Sequence, residues 1–135
     1  MRRLLLIAAA GLTLLGAGCA GARVVEVRVS AGAARLAAGE TLRVDVGALN
    51  ESVGDSWYVV GAPDPAVLIE KERDYDLDCD NPGCGGHLWW AFTATGAGST
   101  TVVFQYCYRS RPGEDCAPAP GGQSNQPVTL NVTVA

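Results

Sequence analysis

Apolar and polar residues alternate along most of the chain after residue 20, and no apolar pattern with a helical period persists there. A period of two is typical of a strand that buries one face. Segments rich in Gly, Pro, Asn and Asp interrupt the alternation, as expected for turns between short strands. The pattern predicts strands at residues 25–29, 42–46, 57–60, 67–70, 88–95, 100–109 and 128–134.

Short strands separated by turn signals at this spacing indicate an all-β, immunoglobulin-like β-sandwich of about seven to eight strands. Large side chains on the expected inner faces would fill the space between two sheets. These are Trp57, Trp90, Phe92, Phe104 and Tyr106. The Cys…Trp…Cys spacing of antibody domains is absent, so the likeness concerns the architecture and not that family.

Residues 83–106 are the most informative part of the chain. Gly83, Gly85 and Gly86 allow positive φ or a close backbone approach. The two aromatic strands that follow are separated by a Gly-Ala-Gly turn at 96–98, which predicts a hairpin. Residues 72–81 are expected to be a charged connector into this glycine loop. We therefore expect the glycine loop to lie at the functional end of the molecule.

The N-terminal residues have the pattern of a bacterial export signal. Arg2 and Arg3 precede an apolar run at 4–15, and small residues then lead to Cys19. We predict a lipoprotein signal peptide over 1–18, a lipid on Cys19 and a tether over 19–23, followed by one domain over 24–135. The alternative is ordinary signal cleavage without lipid. Both place the domain outside the cytoplasm, and the first anchors it to the bacterial cell membrane.

The charge balance argues against a nucleic-acid partner. The chain has ten Lys and Arg residues and fourteen Asp and Glu residues, and loss of Arg2 and Arg3 leaves a net charge of −6. An acidic domain without a basic stripe is a poor match for nucleic acid or for an anionic lipid surface. The predicted lipid on Cys19 would supply the contact with the membrane.

Four further cysteines remain: Cys79, Cys84, Cys107 and Cys116. An even number in an exported chain favours two disulfides, with three possible connectivities. We favour Cys79–Cys84 with Cys107–Cys116, because each bond would close one loop locally, and the alternative joins the two loops. No metal or cofactor is expected, because paired C-x-x-C ligands are absent.

Catalytic chemistry is not expected from this chain. Its one histidine, His87, has no nucleophile motif such as Gly-x-Ser-x-Gly beside it. The alternating residues Asp76, Asp78 and Asp80 are similar to the start of a calcium loop. Asn81 and His87, however, stand where that loop needs Gly and Glu. A solvated acidic edge is the favoured interpretation.

Three segments resemble the chagasin family, small bacterial and protozoan inhibitors of papain-type cysteine proteases. Residues 50–54 followed by Trp57 resemble the family's Asn-Pro-Thr-Thr-Gly loop, with Glu51 in place of Pro. Residues 83–86 resemble its Gly-x-Gly-Gly loop. Residues 106–112 resemble its Tyr-x-Arg-Pro-Trp loop, with Gly113 where Trp would stand.

The resemblance implies three loops at one end of the sandwich that enter the active-site cleft of a protease. The residues implied in binding are Asn50, Ser52, Val53, Gly54, Gly83, Gly85, Gly86, Trp89, Arg111 and Pro112. Several of them also have a structural interpretation: Asn50 would cap its own loop, and Gly83, Gly85 and Gly86 would form a turn. Trp89 would be partly covered by the 79–84 loop, and Arg111 would be a solvated loop charge. The functional alternative is a non-inhibitory envelope module that binds another protein or has a structural role.

Overall fold

Eight strands in two sheets make up the computed structural model, which describes residues 22–135. The strands are β1 (Val24–Arg28), β2 (Ala33–Leu36), β3 (Thr41–Leu49), β4 (Asp55–Gly61), β5 (Leu68–Leu77), β6 (Gly86–Ala94), β7 (Gly98–Tyr108) and β8 (Val128–Val134). Sheet A has the order β1-β3-β6-β5, and sheet B has the order β2-β8-β7-β4. The predicted all-β sandwich is confirmed.

The core lies between the two sheets and contains the predicted aromatic residues. Trp57, Trp90, Phe92, Phe104 and Tyr106 are all buried. The Phe104 ring of sheet B makes edge-to-face contacts with two rings of sheet A, Trp90 and Phe92, at 5.7 Å and 6.3 Å between ring centroids. Edge-to-face pairs of this kind join the two sheets through their largest side chains.

The first two strands belong to different sheets. β1 pairs in parallel with β3, and β2 pairs in parallel with β8. A 3-10 helix at Val29–Ala31 and Gly32, whose φ is +78°, carry the chain across. β2 was not among the predicted strands, since only Ala34 and Leu36 of its four residues are buried. That is too short a pattern to stand out.

The predicted hairpin at residues 88–106 is wrong. β6 and β7 follow each other in sequence, but β6 lies in sheet A and β7 in sheet B. Their buried faces point toward each other across the core, and the turn at 95–97 passes between sheets. Alternation identifies a buried face, but it does not identify the neighbour to which the strand is hydrogen-bonded.

Within sheet A, β6 pairs in antiparallel fashion with β5, the strand that precedes it in the sequence and runs from Leu68 to Leu77. The predicted charged connector at 72–81 is therefore a strand for most of its length. β5 is an edge strand, and charged residues along an edge oppose pairing with other chains. Because β5 is mostly polar and exposed, the sequence indicated only its start, within the predicted strand at residues 67–70.

The sandwich has two distinct poles. L1 (residues 50–54), L2 (residues 78–85) and L3 (residues 109–127) begin where β3, β5 and β7 end, and these loops form the pole called the tip. At the opposite pole, Val24 pairs with Thr41 at the start of β3, and the Ala135 N–H bonds to the Leu36 carbonyl. β3 has nine residues, so the poles are roughly 30 Å apart.

The predicted signal peptide and the lipidation site at Cys19 lie outside the described residues. Within residues 22–135, no helix has the length and apolar character that crossing a membrane requires.

Candidate functional site

L1 is shaped by the side chain of its first residue. Asn50 accepts a hydrogen bond through Oδ1 from the Ser52 N–H at 3.0 Å, and the Ser52 hydroxyl donates to the same oxygen. This caps the short 3-10 helix Glu51–Val53. Gly54 then reverses the chain with φ of +98°, a region that favours glycine. The predicted capping role of Asn50 is confirmed.

The base of L1 is closed by a buried tyrosine. The Tyr106 hydroxyl on β7 donates to the Asp55 carboxylate, whose other oxygen accepts from the Asn50 N–H at 3.3 Å. Burial raises the pKa of Tyr106 well above its usual value, and the hydrogen bond to Asp55 adds to this shift. The phenol therefore remains a neutral donor, and it fixes the start of β4 against β7.

L2 is joined to L1 by the same asparagine. Asn50 donates through Nδ2 to the Gly83 carbonyl at 2.9 Å, and Gly83 has φ of +83°. L2 itself is closed by a disulfide between Cys79 and Cys84 and by a hydrogen bond from the Asp78 N–H to the Gly85 carbonyl at 2.9 Å. The local pairing that the sequence favoured is confirmed here.

β5 also supports L1. The Tyr75 hydroxyl donates to the Leu49 carbonyl at 3.1 Å and accepts from the Glu51 N–H at 3.4 Å. The Glu51 carboxylate forms an ion pair with the Arg73 guanidinium. An ion pair from β5 therefore supports L1 at Glu51.

L3 is fixed to L1 by Arg109. The Arg109 N–H donates to the Gly54 carbonyl at 2.9 Å, and its Nε donates to the Val53 carbonyl at 3.1 Å. Arg109 has φ of +50°, and it is the one non-glycine residue with positive φ in the described part of the chain. A strained backbone persists only where its surroundings hold it. Sequence reasoning missed Arg109, because nothing about an arginine signals a left-handed backbone.

The second disulfide, Cys107–Cys116, closes the first part of L3. Next to it, the Tyr108 N–H donates to the Ala117 carbonyl at 2.9 Å, so this part of L3 folds back against the end of β7. The second local pairing is therefore confirmed as well. Each of the three loops carries at least one bond that restricts its motion.

The structure brings most of the predicted site residues to the tip. Exposed Ser52 and Val53 lie in L1 beside Asn50 and Gly54, and Gly83 and Gly85 lie in L2. Arg111 in L3 and Gly54 in L1 both line an open polar cleft of about 550 Å³, and Pro112 follows Arg111 in the chain.

Among residues 22–135, no three His, Cys, Asp or Glu side chains are placed to hold a metal ion.

Gly86 is placed differently from the other glycines. It is buried at the start of β6, and a Cβ there would lie 2.4 Å from the Asp76 carbonyl oxygen and 2.7 Å from the Tyr75 ring. The close approach that the sequence predicted at Gly86 is therefore made within the molecule. Gly86 gives the Tyr75 ring space to reach L1.

Trp89 lies on the outer face of sheet A, about 10 Å along β6 from Gly86. The Arg43 guanidinium stacks on its ring at 3.6 Å, and its Nε1 donates to Asp74 at 3.0 Å. His87 neighbours it and pairs with Asp45 at 2.6 Å. Arg43 and Asp74 cover Trp89, and it does not join the loops of the tip.

The structure is therefore a two-sheet β-sandwich that presents, at one end, three loops joined to one another by hydrogen bonds. The sequence matches the model of the chagasin family of peptidase inhibitors, I42, over residues 35–120, a span that includes L1, L2 and most of L3. The chain belongs to this family. Membership agrees with the prediction that the protein inhibits peptidases and does not catalyse a reaction.

Two solved structures share the fold. The cysteine protease inhibitor EhICP2 from Entamoeba histolytica superposes with a TM-score of 0.59 at 13% identity, over 84% of this chain and 96% of that one. Amebosin, solved in solution, gives a TM-score of 0.59 at 23% identity, over 85% of this chain and all of that one. No curated protein sequence is significantly similar to this chain.

Proposed function

We propose that this protein inhibits papain-type cysteine proteases by inserting its tip into their active-site cleft. One observation carries the proposal: hydrogen bonds from Asn50 and Arg109 tie three loops, distant in sequence, into one continuous edge. Family membership supports it, as does the fold shared with EhICP2, which is itself a cysteine protease inhibitor. A partner that meets a preformed edge avoids the cost of ordering loops on binding.

L1 is the central element of the proposed interface. Val53 is an exposed apolar side chain at 45% of its full accessible area, and Ser52 beside it offers a hydroxyl. Gly83 and Gly85 would let the backbone of L2 approach the protease closely, and Arg111 and Pro112 would make contacts from L3. L1 is held as a capped 3-10 turn, whereas a protease cleaves backbone that lies extended in its cleft. The proposed inhibitor therefore resists cleavage through its loop shape.

The test uses two tryptophan substitutions at glycines with matching environments. Gly83 in L2 and Gly39 at the opposite pole have φ of +83° and +86°, and a Cβ at either meets no atom within 4 Å. Both substitutions carry the same backbone strain, but only Gly83→Trp adds bulk at the tip. The mature chain is titrated against papain and several related proteases. We expect inhibition that Gly83→Trp abolishes and Gly39→Trp retains.

Two results would contradict the proposal. One is absence of inhibition across the protease panel at tens of micromolar, which favours a non-inhibitory envelope module. The other is equal inhibition by the two tryptophan variants, which would mean that the tip does not enter the cleft.

We also propose that a lipid on Cys19 anchors the protein to the bacterial cell membrane, outside the cytoplasm. The charged start, the apolar run at 4–15 and the small residues before Cys19 support this. Intact-mass measurement of the membrane-extracted protein would detect the added lipid. A Cys19→Ser variant is expected to lose the lipid and to move to the soluble fraction.

A further inference from the structure

The two disulfides of the tip differ in their access to solvent. Cys79 in L2 is exposed and its partner Cys84 is half-buried. In the other disulfide, Cys107 is fully buried beneath L3, and Cys116 is half-buried. Thiol–disulfide exchange needs a thiolate to reach a sulfur atom, so access separates a labile disulfide from a resistant one.

The exposed disulfide, Cys79–Cys84, closes L2. L2 contains Gly83 and Gly85, whose backbone freedom would make the open loop flexible. Besides the disulfide, two hydrogen bonds close it: Asp78 N–H to the Gly85 carbonyl, and Cys84 N–H to the Asn81 carbonyl at 3.3 Å. The contact from Asn50 to Gly83 requires L2 to hold its shape.

We infer that Cys79–Cys84 is a thiol-sensitive site: small thiols open it before Cys107–Cys116, and its opening weakens protease inhibition. The first part stands on the exposure of the two disulfides. The second part rests on the proposed function, because it assigns L2 to the interface with the protease.

The chemistry is ordinary thiol–disulfide exchange. A thiolate attacks the Cys79 sulfur, the bond to Cys84 breaks, and Cys84 leaves as a thiolate that takes a proton from water. A second thiol molecule attacks the mixed disulfide and releases Cys79 as a thiol. The small thiol is oxidised to its own disulfide, and L2 ends with two reduced cysteines.

Local charge points to the kind of thiol that reacts fastest. Asp78 and Asp80 flank Cys79 in the sequence and are exposed. Their negative charge repels an anionic reagent and attracts a cationic one, most strongly at low ionic strength. Cysteamine should therefore react with this disulfide faster than 2-mercaptoethanesulfonate, compared at equal thiolate concentration.

The first experiment measures the order of reduction in the wild-type mature chain. The protein is treated with increasing concentrations of each thiol, free cysteines are alkylated with iodoacetamide, and labelled peptides are quantified by mass spectrometry. We expect Cys79 and Cys84 to be labelled at thiol concentrations that leave Cys107 and Cys116 unlabelled. Simultaneous labelling, or labelling of the buried pair first, would overturn the inference.

The second experiment measures inhibition by the partly reduced, alkylated protein. The protease is activated and then separated from free thiol, so that the assay does not reduce the inhibitor. We expect the inhibition constant to rise about tenfold or more, since loss of a short-loop disulfide releases the ordering that it imposed. A Cys79→Ser/Cys84→Ser variant, which has no alkyl group in L2, should show the same rise and no further response to thiols.

The two proposals fail in different ways. An unchanged inhibition constant after selective opening of Cys79–Cys84 overturns this inference and leaves protease inhibition standing. If the oxidised protein inhibits no protease, the proposed function fails, while the order of labelling still decides whether the exposed disulfide is the labile one.

Discussion

Asn50 donates a hydrogen bond from Nδ2 to the Gly83 carbonyl at 2.9 Å and so joins L1 to L2 through two residues that lie 33 positions apart in the sequence. The same side chain accepts from the Ser52 N–H through Oδ1. One amide group therefore shapes L1 with its oxygen and couples L1 to L2 with its nitrogen. These two roles can be separated by substitution.

Asn50→Asp keeps an acceptor for the cap and removes the donor to Gly83. We expect it to retain most of the folding stability but to weaken inhibition about tenfold, because L2 loses its attachment to L1. Asn50→Ala removes both roles and should cost about 1 kcal/mol of stability as well. Thermal unfolding and inhibition constants measured on the same samples would separate the effects. Equal inhibition by wild type and Asn50→Asp would contradict the coupling role.

Arg109 offers a second test of loop attachment. Arg109→Ala and Arg109→Gly both lose the hydrogen bond from Nε to the Val53 carbonyl, so both should weaken inhibition about tenfold. Glycine accepts the φ of +50° without strain, so Arg109→Gly should be more stable than Arg109→Ala by about 1 kcal/mol. Arg35→Ala, at an exposed arginine on β2, serves as the control in both assays.

Substitution of Gly86 tests whether this glycine acts through packing inside the molecule and not through contact with a partner. Gly86→Ala places a methyl group 2.4 Å from the Asp76 carbonyl oxygen, and the backbone must move to accept it. We expect a loss of about 2 kcal/mol or more in the free energy of unfolding. Gly121→Ala, where a Cβ meets nothing within 4 Å, should change it by less than about 0.5 kcal/mol. Chemical denaturation of both variants checks the difference.

The raised pKa of Tyr106 predicts a loss of stability at alkaline pH. An unfolded tyrosine loses its proton near pH 10, whereas burial and the hydrogen bond to Asp55 keep the folded phenol protonated. Above about pH 10 the unfolded state therefore binds fewer protons, so the free energy of unfolding falls as pH rises. Below about pH 10 the phenol keeps its proton in both states, so the contribution of Tyr106 to the free energy of unfolding does not change with pH.

Denaturant unfolding of wild type and Tyr106→Phe between about pH 9 and 11.5 measures this effect. The free energy of unfolding should fall more steeply with pH in the wild type than in the variant, with a difference in slope that approaches about 1.4 kcal/mol per pH unit. Identical slopes would show that Tyr106 ionises alike in both states.

Substitution of Trp89 tests whether the outer face of sheet A takes part in protease binding. Trp89→Ala removes the stacking of Arg43 and the hydrogen bond to Asp74, so we expect about 1–2 kcal/mol of lost stability. The inhibition constant should remain within about threefold, because this face lies about 10 Å along β6 from the tip. Weakening by tenfold or more would place the outer face in the interface.

Alternation identified buried faces but not strand neighbours. Phe92 and Phe104 were both predicted to be core residues, and they are, but their strands belong to opposite sheets. The pattern is the same whether two strands pair side by side or face each other across a core. β5 was predicted only at its start, within the strand at residues 67–70, for a different reason: an edge strand buries little, and the rest of β5 is exposed and largely charged.

The tip was predictable in outline and not in detail. Glycines and the resemblance to a family indicated which segments act together, and the structure gathers those segments at one pole. The contacts that fix them could not be predicted, since Arg73, Tyr75 and Arg109 reach L1 from strands or loops far away in sequence. Such contacts depend on strand order, which the alternation of residues does not specify.

The described chain starts at the pole opposite L1, L2 and L3, beside the beginning of β3. If the chain is anchored through residues before Ala22, the body of the sandwich would therefore lie between the anchor and the three loops. The length of β3, roughly 30 Å, would then separate the proposed anchor from the loops proposed to enter the protease.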